Sequence, residues 1–124
     1  IDTVTEADAD YAFFSGPDPG IAIRTIGSTN IQIALTPFDF VWNPMVEVLI
    51  GAANNTQSMI RVNGQDIVAR VPTPNILRLD QWNGFRITWR NHVILVFREG
   101  DQFPFLSFTM RDLVPVNFYG LRTS

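Results

Sequence analysis

Residues 46–62 read VEVLIGAANNTQSMIRV, and this stretch decides the fold. Folded back about Asn54, it makes a strand pair in which Val46 faces Val62 and Val48 faces Ile60. The same register sets Glu47 opposite Arg61 and Leu49 opposite Met59. Strand side chains alternate faces with period two. One register therefore gathers an apolar row on one side and joins opposite charges on the other, and a slip of one residue scrambles both. Glu47 and Arg61 are expected to form a structural cross-strand pair.

The same style continues outward. Asn63-Gly64 follows directly, and an Asn-Gly pair between β-type runs signals a hairpin, so Ile67 to Val71 folds back as the next strand. Upstream, Ile21 to Ile26 and Ile31 to Leu35 flank Gly27-Ser28-Thr29-Asn30 and read as another hairpin. Thr36 to Pro44 is a ring-rich loop, and Ser15 to Gly20 is a Pro/Gly loop after the short apolar run Tyr11 to Phe14. Pro72 to Gly84 is mostly non-strand, with Ile76, Leu77 and Leu79 suggesting one helical turn. Phe85, Ile87 and Trp89 share one face of a strand that turns at Arg90-Asn91. Val93, Leu95 and Phe97 continue on the return strand with Ile94 and Val96 between them, so that strand is apolar on both faces and central. Phe105 to Thr109 and Val116 to Leu121 are the last strands.

About nine or ten strands, with turn signals every eight to twelve residues or so, predict an all-β fold: an antiparallel β-sandwich, jelly-roll-like. The 124 residues suit one domain, read as residues 11–124 behind an exposed acidic lead-in over residues 1–10. Folding a chain of this size buries roughly two-thirds of its surface. Ten Phe and three Trp supply large rings for the core, with some left to meet a ligand.

Composition removes several functions. Net charge is −3, and the nine basic residues are all Arg and scattered, so no nucleic-acid partner is expected. Without Cys there is no thiol nucleophile or zinc–thiolate site, and without Lys no Schiff base. His92 is the only histidine, so it alone could serve a triad, and nothing near it resembles a nucleophile elbow. No metal site is expected, since EF-hand-like spacing is also absent. The glycines form no GxGxxG loop, so no cofactor is expected. Glu47, Asp80, Glu99 and Asp101 are the carboxylates considered for paired acid–base work; Glu47 is already assigned to Arg61, and Glu99 and Asp101 flank a turn glycine. No apolar run approaches the roughly 18 residues of a membrane span, so no insertion is expected. The start at Ile1 suggests a processed product or a domain of a longer chain.

The candidate ligand-binding residues are Asn54, Asn55, Gln57 and Ser58, whose amides and hydroxyls suit sugar hydroxyls, with Trp82 or Trp42 stacking on a sugar face. Asn54-Asn55-Thr56 is an N-glycosylation sequon at the predicted loop tip, which makes Asn54 a candidate modification site in a secreted chain.

Ile33-Ala34-Leu35, Glu47 through Gly51, Asn55 through Arg61, Trp82, Phe85 through Trp89, Ile94, Val96, Gly100, Pro104 through Leu106 and Val116 through Gly120 together resemble the farnesoic acid O-methyltransferase domain family. The resemblance spans about Tyr11 to Arg122, and Ala52-Ala53 departs from it where an aromatic residue is common. It implies a β-sandwich module of the kind found in arthropod and multidomain extracellular proteins. The family name implies methylation of farnesoic acid, which nothing in these residues supports. The expected function is a non-catalytic, extracellular or secreted recognition module, lectin-like, binding carbohydrate or a protein partner. The alternatives are a structural subunit of an oligomeric surface assembly and the methyltransferase itself.

Overall fold

The computed structural model describes residues 2–4, 11–15 and 19–123. Its strands are β1 (Asp2–Val4), β2 (Ala12–Ser15), β3 (Gly20–Ile26), β4 (Ile31–Thr36), β5 (Val46–Gly51), β6 (Gln57–Val62), β7 (Asp66–Pro72), β8 (Asn83–Thr88), β9 (Val93–Arg98), β10 (Leu106–Thr109) and β11 (Phe118–Thr123). The smaller sheet runs β1-β3-β8-β9-β10 and the larger β2-β11-β4-β5-β6-β7. Every pairing is antiparallel except that of β1 with β3. The fold is thus an all-β sandwich. It is jelly-roll-like in that the chain passes repeatedly between the sheets and β2 near the start pairs with β11 at the end.

The β5–β6 ladder has the register read from the sequence: Val46 pairs with Val62, Glu47 with Arg61, Val48 with Ile60 and Leu49 with Met59. The Asn63-Gly64 turn follows with both residues at positive φ, and the Gln65 N–H donates to Val62 O at 3.1 Å. Those are the features of a type I′ turn, which matches the twist of the strands it joins. β7 then pairs with β6 with a bulge near Ile60 and Arg61.

The core lies between the sheets. Ile31, Ile33, Leu35, Val46, Val48, Ile50 and Ile60 of the larger sheet meet Ile23, Phe85, Ile87, Ile94, Val96 and Leu106 of the smaller. β5 is buried at all six positions, so its outer side is covered as well. A second small cluster of Leu49, Ala52 and Met59 sits on that outer side.

Three readings change, and that of β9 is made specific. Ile21–Ile26 and Ile31–Leu35 are not a hairpin: β3 pairs with β8 and β1, and β4 with β5 and β11. The Gly27–Asn30 link carries the chain across the sandwich, and the two isoleucine rows pack face to face rather than side by side. On β9 the core side is that of Ile94 and Val96, because the three-residue turn Arg90–His92 sets Val96 opposite Ile87 and Leu95 opposite Thr88. Phe97 therefore lies outside, where the Arg86 guanidinium stacks on its ring at 4.2 Å. The helical turn expected around Ile76 to Leu79 is absent. The Leu77 backbone bonds to the Asn55 side chain and that of Arg78 to Asn83, so side chains replace helical partners. Finally, Asp2–Val4 of the expected lead-in adds a strand to the smaller sheet, and residues 5–10 lie outside the described residues.

Gly51, at φ 77, ends β5 where an added Cβ would lie 2.9 Å from Thr29 O and 2.7 Å from Leu77 Cδ1. Both space and backbone therefore demand glycine there. Two isoleucines test the layering. Ile60 is fully buried, and Ile60→Ala is expected to cost about 2–5 kcal/mol in denaturant unfolding. Ile67, on the edge strand β7, is 44% exposed, and Ile67→Ala is expected to cost less than about 1 kcal/mol. Equal losses at both positions would contradict the assignment of faces.

Candidate functional site

Residues 52–56 join β5 to β6, and the stretch singled out from sequence, residues 54–58, runs from that loop into β6. Ala53, Asn54 and Asn55 all adopt positive φ there, a conformation asparagine tolerates best among non-glycine residues. Much of its polarity is used internally. Asn55 Nδ2 donates to Leu77 O at 2.7 Å, and the Leu77 N–H donates to Asn55 Oδ1 at 3.1 Å. Ser58 is fully buried, with Oγ 2.7 Å from Thr73 Oγ1. Both residues tie the hairpin to the segment after β7. Gln57 is half-buried opposite Pro72. Asn54 is exposed at the tip, as the sequon requires for access. Trp82 is 42% exposed on the segment that Asn55 and Asn83 pin down, with the Arg24 guanidinium 6.0 Å from its ring. The structure thus brings these residues to one end of the sandwich but leaves Asn54, Gln57 and Trp82 as its presenting groups.

A more developed site lies on the outer face of the larger sheet, toward the opposite end of β5. There a cleft of about 540 Å³ is floored by Glu47, Arg61, Arg122 and Tyr11, and walled by Phe13 and by Phe40 and Val41 of the ring-rich loop. Glu47 is the anchor. Its Oε1 accepts from Arg61 Nε at 3.1 Å and from Arg61 Nη2 at 2.9 Å. Its Oε2 accepts from the Tyr11 hydroxyl at 2.6 Å. The carboxylate is 4% exposed and Arg61 29%. The Tyr11 oxygen also lies 3.2 Å from Gln32 Oε1, to which Arg122 donates, and the Arg122 guanidinium stacks on the Tyr11 ring at 4.8 Å. Two hydrogen-bonded groups, Arg61–Glu47–Tyr11 and Arg122–Gln32, thus meet where the Arg122 guanidinium stacks on the Tyr11 ring, over five strands or their flanks.

Backbone details position it. Gly120 faces Phe13 across the β2–β11 ladder, and a Cβ there would lie 2.9 Å from the Phe13 ring and 3.0 Å from that of Tyr11. The missing side chain lets both rings lie against the sheet. Asn63 fastens the rim: its Oδ1 accepts from Met45 N at 3.0 Å and its own N–H donates to Met45 O at 2.8 Å. Phe38 and Phe40 stack at 5.2 Å, and Phe40, Val41 and Trp42 are 52%, 52% and 66% exposed. Three consecutive exposed apolar residues on a fixed loop are unusual, and such patches mark contact surfaces.

Chemically, the floor is a network of engaged polar groups. Glu47 has both oxygens engaged. Burial, and next the hydrogen bond to Glu47, push the Tyr11 hydroxyl far above its ordinary value, so it stays protonated as a donor. The lining offers flat rings, guanidinium donors and the exposed Asp39 acceptor. Among the described residues it contains no Ser, Thr, Cys or His. His92 is exposed on the β8–β9 turn, and among the described residues no three acidic or His side chains gather as a metal site. Sequence reading recognised Glu47 and Arg61 as a pair but missed Tyr11, Gln32, Phe40 and Arg122. No local pattern signals that residues 11 and 122 meet.

Two results are expected. Glu47→Ala leaves Tyr11 and Arg61 without their acceptor and should cost about 2–4 kcal/mol, less than the full penalty for breaking a buried pair because Arg61 reaches water. A loss below about 0.5 kcal/mol would contradict the network. The Tyr11 proton is held in the folded state and released in the unfolded state above pH 10 or so. Its stabilisation is therefore complete below that pH and lost as pH rises beyond it, by up to about 1.4 kcal/mol per unit. Urea titrations between pH 8 and 11 should show the decline, and Tyr11→Phe should remove this component of it.

Neither the curated proteins nor the solved structures contain a match to this chain. A family model described as farnesoic acid O-methyl transferase matches residues 7–124, nearly the whole sequence, including every strand that builds the cleft. The chain belongs to the farnesoic acid O-methyl transferase domain family.

Proposed function

We propose that this domain is a non-catalytic recognition module, acting outside the cell, whose outer-face cleft binds carbohydrate. The observation that carries this reading is the pairing of exposed rings with an immobile polar floor. Sugars present apolar C–H faces and many hydroxyls, and rigid rings beside fixed donors and acceptors suit both. The exposed sequon at Asn54 is in keeping with a secreted chain.

Methyl transfer, as the family name suggests, is the weaker reading. The chain has no glycine-rich nucleotide loop, and the fold is not of the doubly wound α/β type that such loops serve. Docking of a protein through Phe40-Val41-Trp42 is the second reading that an observation favours, because those three consecutive apolar residues are more than half exposed.

A glycan array followed by calorimetry tests the first. Phe40→Ala is expected to weaken sugar binding roughly tenfold, equivalent to about 1.4 kcal/mol of stacking, whereas Trp82→Ala should leave it unchanged. The reverse pattern would move the site to the other end of the sandwich. Absence of any glycan binding would overturn the proposal.

A further inference from the structure

We infer that the cleft selects anionic saccharides, those bearing a carboxylate or sulfate, through Arg122. The inference rests on the carbohydrate reading above and narrows it.

The argument is one of charge. Two guanidinium groups line the floor, and Glu47 neutralises one of them, Arg61, through two hydrogen bonds. Among the described residues the ion pairs are Arg61–Glu47 and Arg24–Glu99, and Arg122 has no carboxylate partner. Its hydrogen bond goes to the neutral amide of Gln32, and its face rests on the neutral phenol of Tyr11. Tyr11 keeps its proton, so it cannot supply the missing negative charge. Arg122 is half-buried. A partly desolvated cation without a counter-ion is costly, and an anionic ligand group removes that cost. A guanidinium fixed on one edge by Gln32 and on one face by a ring still has donors to offer, in the planar fork that fits carboxylate or sulfate oxygens two at a time.

Among the described residues of the cleft the opposing charge is Asp39 on the rim, and the chain's overall charge is −3. Asp39 is exposed, so solvent and salt screen it more strongly than they screen the floor. The net charge slows the approach of any anion, so selectivity for one must come from the local guanidinium and not from bulk attraction.

The test is an array carrying neutral, carboxylate-bearing and sulfated glycans, with titration of a galacturonate oligomer, a sulfated galactose oligomer and the neutral galactose oligomer. The expected result is binding of anionic glycans at least tenfold tighter than neutral ones, with the uronate and sulfate arms showing which group is preferred. Arg122→Gln, which keeps a donor for Gln32, should abolish the preference, and Arg122→Lys should retain part of it. Asp39→Asn, which removes the opposing charge on the rim, should tighten anionic binding. Binding of neutral glycans alone, or an anionic preference unaffected by both Arg122→Gln and Asp39→Asn, would overturn the inference while leaving the carbohydrate reading intact. Binding of no glycan would overturn both.

Discussion

The carboxylate of Glu47 is the point on which the outer face of the larger sheet depends. β5 is buried on both sides, and on the outer side its central charge has been withdrawn from water. A carboxylate in that position is tolerable only with its oxygens satisfied. Arg61 supplies two donors from the neighbouring strand, and Tyr11 supplies a third from the flank of β2. Meeting the needs of one buried charge therefore fixes the Arg61 head group and the Tyr11 ring, on which the Arg122 guanidinium stacks. The remaining cleft features follow from this: Gly120 leaves room for the rings, and Asn63 holds the loop that carries Phe40.

What could be read from the sequence was local. The β5–β6 register was legible because charge pairing and apolar rows agree within 17 consecutive residues, 46–62. The Asn63-Gly64 turn was legible because its chemistry is short-range. The failure at β3 and β4 has an equally plain cause. Two alternating apolar strands joined by a polar link look alike whether they hydrogen-bond side by side or face each other across a core. Asn55 and Ser58 illustrate a related ambiguity, since a polar side chain in a loop gives no sign of whether it addresses a ligand or the next segment of its own chain. The cleft was the least legible feature. Its floor draws on strands at both ends of the chain, and Phe13 meets Gly120 only once the sheet is assembled.

The two ends of the sandwich divide their roles. Around residues 52–58 and 73–83, amide and hydroxyl groups stitch loops together and hold the end of the core closed. Around residues 38–45, polar bonds fix the base of a loop while its rings face solvent. Rings held in place lose little entropy on binding, which favours recognition by preformed surfaces. Such a site presents ring faces and guanidinium donors together.

The most direct measurement of this account is an amide and side-chain NMR map of the folded domain titrated with an anionic oligosaccharide. The account predicts that shift changes centre on Tyr11, Gly64, Gly120 and the Arg122 guanidinium, and spread to the backbone at Phe40. Changes centred instead on Asn54 to Ser58 and the Trp82 indole would contradict it.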